Sequence, residues 1–302
     1  MHPRAVTVFT RMPTRREVIF GTVGAISLST HRSRAAAATP LNDAFVAIEA
    51  RSGGRLGVAV LDTGARTFAG RRSDERFPMC STHKLLSVGA ILRRVDEGRE
   101  RLDRRIVFQA GDLVAYSPAT TDRAGRDGMT LAQLCEAAIT LSDNTAANLI
   151  LTSLGGPQGV TAFARSLGDP MTRLDRTEPT LNEAAPGDPR DTTTPLSMLK
   201  DIEVLVLGDA LSAASRDRLT GWLLGNRTGD ARLRAGLPFN WRCGDKTGTG
   251  RHGTANDVGV LWPARGAPVI VSAYLTESTA SEAMRDVALA DVARATASAV
   301  RL

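Results

Sequence analysis

The chain has 302 residues, 42% of them hydrophobic and 23% charged, the balance of a soluble globular protein with one large domain or two intimate ones. Its formal charge of +6 and pI near 9.9 come from the first 38 residues, which hold six arginines against Glu17; the remainder carries 32 basic and 31 acidic residues, so no nucleic-acid partner is implied. Only His83 and His252 follow that leader, and Cys80, Cys135 and Cys243 fit no zinc spacing, so no metal and no cofactor are expected.

The leader reads as an export signal. Thr14-Arg15-Arg16-Glu17-Val18-Ile19 is a twin-arginine motif, Phe20 to Ser29 a short and mildly apolar stretch, and Ala35 to Ala38 a small-residue cleavage region. The apolar stretch is too short to span a bilayer. A soluble periplasmic or secreted product is expected, exported by the twin-arginine route. Asn42 to Arg51 then has helical spacing, and Arg55 to Leu61 pairs with the segment around Phe68 as a hairpin turned at Asp62-Thr63-Gly64. From Pro78 to about Trp222 the signals are helical, at Ser81 onward, 131–140, 144–154, 159–167, 197–207 and 212–223. Strands return at 240–246, 258–262 and 269–275, and a helix closes the chain from about Ser281 to Val300. This order predicts one antiparallel sheet made by both ends of the chain, with packed terminal helices and an inserted helical block.

The block begins at Met79-Cys80-Ser81-Thr82-His83-Lys84, followed by a continuous apolar run that reads as a buried helix. Residues three apart share a helix face, so Lys84 reaches the Ser81 hydroxyl, whereas His83 points roughly 200° away and makes a serine–histidine pair a poor reading. Ser197-Met198-Leu199-Lys200 repeats the pattern, but after Thr194-Pro195 it reads as an ordinary helix start with a solvated lysine. Only Lys84, Lys200 and Lys246 are lysines among the 38 basic residues. An amine can lose its proton when desolvated and a guanidinium cannot, which gives a lysine in a motif a reason to be there.

Three further elements carry chemistry. Ser142-Asp143-Asn144 starts a helix, which these residue types do as ordinary caps; Ser142 is also able to pass a proton to a leaving group, and Asn144 to bind a substrate amide. Lys246-Thr247-Gly248-Thr249-Gly250 lies where a strand ends in a glycine-rich run, as a flexible turn or as a cradle for a carboxylate. Glu178-Pro179-Thr180-Leu181-Asn182 lies in a long irregular segment, 176–191, of the kind that is either functional or disordered, with Arg176 and Asp191 placed to close it.

Taken in order, Ser81-x-x-Lys84, Ser142-Asp143-Asn144, Glu178-x-x-x-Asn182 and Lys246-Thr247-Gly248 resemble a class A serine β-lactamase over essentially the whole chain after the leader. The resemblance implies the fold of that group and of penicillin-binding proteins: an α/β domain from residues 39–73 and 228–302, and an all-α domain from 74–227, with the site between them. It also implies a monomer acting on a small β-lactam, with neither nucleic acid nor membrane as partner. Ser81 is then the acylated nucleophile and Lys84 part of its proton network, with either Lys84 or Glu178 through a water as acylation base. Glu178 and Asn182 position the deacylating water, and the backbone N–H groups of Ser81 and Thr249 form the oxyanion hole. Tyr116 walls the entrance, while Lys246, Thr247 and Thr249 hold the substrate carboxylate. Ala255 fills a position where many relatives carry arginine, and Arg232 matches the alternative source of that guanidinium. Val88 and Gly250 stand where partners of Cys135 and Cys80 would be, so no disulfide is expected. A D,D-peptidase shares the serine and lysine motifs but lacks the Glu178 loop, and a β-lactam sensor module is normally tethered to a membrane.

Overall fold

The structure, a computed structural model, describes residues 29–300, and their side chains from residue 40 on; the Arg15-Arg16 motif lies outside the described residues. Helix α1 (Ser29–Ser52) leads into the hairpin β1 (Arg55–Asp62) and β2 (Thr67–Arg71). The Asp62 carboxylate closes its turn, accepting from the backbone N–H groups of Gly64 at 2.9 Å and Ala65 at 3.0 Å. The chain leaves the sheet at β3 (Phe77–Pro78), makes a 3-10 turn over Cys80–Thr82 and continues as α2 (His83–Asp96). Ser81 therefore sits in the tight turn before the helix. After the small ladder of β4 (Arg105–Ile106) and β5 (Met129–Thr130) come α3 (Leu131–Thr140), α4 (Asn144–Leu154) and α5 (Pro157–Ser166).

The 176–191 segment follows, and its far end becomes β6 (Thr192–Thr193), which pairs with β3 beside the Ser81 turn. Helix α6 (Pro195–Ile202) starts with Thr194 as cap and Pro195 in the first position, and α7 spans Ala213–Leu224. The chain then returns to the sheet as β7 (Arg242–Gly250), β8 (Thr254–Trp262) and β9 (Val269–Thr276), and ends in α8 (Glu282–Val300). Two expected boundaries need correction. The 197–207 helix stops at Ile202, and Glu203–Leu207 form a wider turn in which Gly208 N–H donates to the Glu203 carbonyl at 2.8 Å. Strand β7 does not end at Lys246 but carries the glycines on to Gly250.

The five long strands form one antiparallel sheet in the order β2-β1-β9-β8-β7. Period-two alternation divides its side chains between two cores. Leu56, Val58, Val271 and Leu275 face α1 and α8, whereas Leu61, Val260, Ile270 and Tyr274 face the helical block. Burial on both faces explains why Val269–Leu275 reads as an almost unbroken apolar run. Helix α2 runs through the second core with every residue from His83 to Leu92 buried. Among the described residues, no helix is long and apolar enough to cross a membrane.

Candidate active site

Ser81 lies in a cleft of about 510 Å³ between the helical block and edge strand β7, with Tyr116, Ser142, Asn144, Thr247 and Arg232 around it. That size suits a small molecule. Cys80, Tyr116 and Ser142 have φ of 48°, 64° and 58°, a left-handed conformation that is uncommon for residues with a side chain. All three flank the cleft, where backbone strain tends to be kept for function. Tyr116 is 60% exposed at the mouth.

The turn into α2 puts Lys84 Nζ 2.9 Å from Ser81 Oγ, as the three-residue spacing predicts. The amine is fully buried and also donates to the Ser142 carbonyl at 2.8 Å and Asn144 Oδ1 at 2.6 Å, with Glu178 Oε1 3.0 Å away. Three of these four oxygens can only accept, so all three amine hydrogens are engaged and Lys84 is an ammonium in this arrangement. Burial lowers its pKa and the Glu178 charge opposes that shift. Ser81 Oγ donates in turn to Glu178 Oε1 at 3.2 Å. Asn144 thus serves to seat Lys84, and its amide nitrogen donates to the Ala115 carbonyl at 2.8 Å. Asp143 between them is the helix cap, accepting from Ala146 N–H at 2.8 Å and from Thr120.

Glu178 is 2% exposed and reaches the site because its segment is closed from both ends. Arg176 Nε donates to Asp191 Oδ2 at 2.5 Å, and Asp191 Oδ1 accepts from the backbone N–H groups of Asp175 and Arg176. The Asp191 carbonyl accepts from Met79 N–H at 2.9 Å, which ties the segment to the Ser81 turn. Asn182 Nδ2 donates to Glu178 Oε2 at 2.5 Å. Burial would raise the Glu178 pKa, but the Lys84 charge and the contact with His83 outweigh it and hold the carboxyl well below the usual range.

Lys246, buried on β7, donates to Ser142 Oγ at 3.1 Å, so Ser142 stands between the two lysines, with Lys84 Nζ at 3.3 Å. Thr247 shares a hydrogen bond with Thr228. A Cβ on Gly248 would lie 2.7 Å from the Met79 carbonyl, so glycine is what lets β7 pack against the Ser81 turn. Arg232 donates from Nε to Asp286 at 2.8 Å, from one terminal nitrogen to the carbonyls of Gly248 and Asn256, and from the other to Thr249 Oγ1 at 2.8 Å. Ala255 pairs with Thr249 across the strands, so Arg232 and Ala255 both adjoin Thr249. The candidate catalytic and substrate-binding residues Ser81, Lys84, Tyr116, Ser142, Asn144, Glu178, Asn182, Arg232, Lys246, Thr247, Gly248 and Thr249 therefore meet around one cleft. Cys80, Cys135 and Cys243 are buried free thiols.

Three contributors escaped the sequence reading. Asn148 donates to the Glu178 carbonyl and accepts from Glu178 N–H, both at 2.9 Å, so α4 clamps the backbone of that residue. Its position one turn beyond Asn144, on the same face, was the available signal. Asp286 holds Arg232 from 54 residues away. His83, which helical spacing turns away from Ser81, has Nε2 3.4 Å from Glu178 Oε1.

Residues 40–300 match the Beta-lactamase enzyme family. The chain is 49% identical to β-lactamase OXY-2 of Klebsiella oxytoca over 82% of this chain and 85% of that one. It is 48% identical to β-lactamase CTX-M-97 of Escherichia coli over 83% and 87% of the two chains. Among solved structures it is similar to an ancestral (GNCA) class A β-lactamase, with a TM-score of 0.85 and 61% identity over 86% of this chain and 99% of that chain.

Proposed function

The chain belongs to the class A serine β-lactamases and hydrolyses the β-lactam ring; on that premise we propose that Ser81 is the nucleophile and that Glu178 activates the water that releases the product. The observation that carries this reading is the chain of contacts from Lys84 to Ser81 Oγ at 2.9 Å and from Ser81 Oγ to Glu178 Oε1 at 3.2 Å. Lys84 is occupied as a donor and Glu178 is an anion, so the proton leaving Ser81 goes to Glu178 as the oxygen attacks the lactam carbonyl. The backbone N–H groups of Ser81 and Thr249 take the developing oxyanion. Ser142, between Lys84 and Lys246, gives its proton to the departing lactam nitrogen and regains one from Lys84, which in turn takes back the proton held by Glu178, so that Glu178 is an anion again when the acyl-enzyme has formed. Deacylation uses the same carboxylate: Oε2 faces Asn182, whose Oδ1 is buried with no protein partner among the described residues and is therefore available to a water proton. Repeated turnover of a chromogenic cephalosporin by purified protein tests the reading, and a single turnover that stops would point to an acylated peptidase or sensor.

Lys246, Thr247 and Thr249 hold the substrate carboxylate in this reading, with Arg232 behind Thr249. Burial and the Lys84 charge bring the Lys246 pKa down to about 7. The ammonium that attracts the carboxylate is complete below that value and lost above it, while a bound carboxylate favours the charged form and raises the pKa in the complex. kcat/KM, which reports the free enzyme, is expected to fall as pH rises through about 7, with kcat holding to higher pH. A kcat/KM that stays level into the alkaline range would contradict this. Arg232→Ala removes a donor from the carboxylate cradle and is expected to cost ~1.5–3 kcal/mol in kcat/KM, mostly through KM. Unchanged kinetics would show that the carboxylate is held without it.

The product acts as an exported monomer in this account, built from the α/β parts 39–73 and 228–302 and the helical part 74–227. With Arg15 and Arg16 both changed to Lys, unprocessed precursor should remain in the cytoplasm; normal processing would reject the twin-arginine route.

A further inference from the structure

His83 is fully buried at the start of α2, with its ring between Ser87 on the next turn and Glu178 on the 176–191 segment. Nδ1 lies 3.0 Å from Ser87 Oγ, and Ser87 Oγ is also 3.1 Å from the His83 carbonyl. Nε2 has no hydrogen-bond partner at normal distance among the described residues, yet Glu178 Oε1 is 3.4 Å from it. Two tautomers are possible. With the proton on Nδ1, the Nε2 lone pair would face a carboxylate across 3.4 Å, two acceptors in a dry site. With the proton on Nε2, Ser87 donates to Nδ1 and the ring offers an N–H to Glu178. The second arrangement removes the repulsion, at the cost of the Ser87 hydroxyl's bond to the His83 carbonyl.

We propose that His83 is a positioning residue for Glu178, holding Oε1 through its Nε2–H so that Oε2 is presented to the deacylating water. The contact gains importance during the reaction. In the resting site Oε1 accepts from Ser81 Oγ, but once Ser81 is esterified that hydrogen is gone, leaving Lys84 and His83 to hold this oxygen. Water then gives its proton to Oε2 as its oxygen attacks the ester carbonyl. The carbonyl–Oγ bond breaks, and the proton passes back from Glu178 to Ser81 Oγ. Burial lowers the His83 pKa against the opposing pull of Glu178 and, further off, Asp191, with Lys84 adding to the lowering, so the ring acts as a neutral donor. A donor on Oε1 also favours the ionised carboxylate and keeps the base available in mild acid.

This inference rests on Glu178 being the deacylating base, so its test includes Glu178→Ala. His83→Phe removes the donor, whereas His83→Gln retains an N–H at a similar reach. Acylation is read from the burst and deacylation from the decay of the covalent adduct by intact mass, from about pH 4.5 to 8. Near pH 5 His83→Phe is expected to deacylate several-fold more slowly than wild type and to acylate with a smaller loss, because Ser81 Oγ and Lys84 still hold Oε1 before the ester forms, and both differences shrink near pH 8. His83→Gln should track the wild type, and Ser87→Ala, which releases Nδ1, should shift the acid limb in the same direction as His83→Phe. Superimposable profiles for His83→Phe and wild type, or an equal slowing of both steps at every pH, would overturn the proposal. Should His83→Phe not fold, an unshifted Ser87→Ala profile would overturn it equally. If Glu178→Ala turns over freely, the base assignment itself has failed; if it accumulates adduct while the histidine variants behave as wild type, only the role of His83 has failed.

Discussion

Glu178→Ala reacts once with a penicillin and then stalls. In the wild type the carboxylate serves both steps, but its loss affects them unequally. Without the Glu178 charge, nothing comparable opposes the effect of burial on Lys84, whose pKa falls further. A neutral amine 2.9 Å from Ser81 Oγ is then able to take the serine proton, so acylation slows but continues. Deacylation has no such substitute: Lys84 is on the serine side of the site, and Asn182 can only orient a water. The loss of a general base is expected to slow this step by ~10²–10⁴-fold, and the adduct accumulates. Intact mass after a brief incubation shows one added penicillin, and steady-state turnover nearly vanishes. Wild-type turnover without adduct would remove Glu178 from the mechanism.

Asp191→Ala is expected to be the most damaging change away from the reacting atoms. The Asp191 side chain is buried and satisfies two backbone N–H groups and the Arg176 guanidinium, so its removal leaves all three short of a partner. Glu183 and Asp188 remain near Arg176, but neither reaches the buried amides. Breaking a buried pair of this kind costs ~3 kcal/mol. In a protein of this size that is a fall in Tm of ~6–12 °C. Because the same segment carries Glu178, deacylation should slow as well, and more than acylation. Unchanged melting and unchanged kinetics would show that the segment is held by its remaining contacts.

Much of this site is legible because its chemistry lies in local spacing. Ser81 and Lys84 meet because three residues are nearly one turn, and Arg176 and Asp191 meet because a long loop inside a compact fold needs closing. From sequence alone strand β7 ends at Lys246, because glycines are poor strand residues on their own. Tertiary packing overrides that preference at Gly248, where the Met79 carbonyl leaves no room for a Cβ. Likewise Thr254, Ala255, Asn256 and Asp257 read as the approach to a strand, yet they are buried within β8. His83 shows the limit most clearly. Helical periodicity correctly turned its ring away from Ser81, but periodicity says nothing about which distant segment will occupy the other side, and that segment brings Glu178 from 95 positions along the chain. Asp286 beneath Arg232 is hidden for the same reason.

If the covalent bond forms at Ser81, the site of the adduct shows it most directly. Glu178→Ala is incubated with a penicillin, quenched in acid, digested and mapped by mass, with Ser81→Ala treated alongside. The added mass is expected on the peptide containing Ser81 and nowhere in Ser81→Ala. An adduct on the peptide containing Ser142, or one that survives in Ser81→Ala, would contradict it.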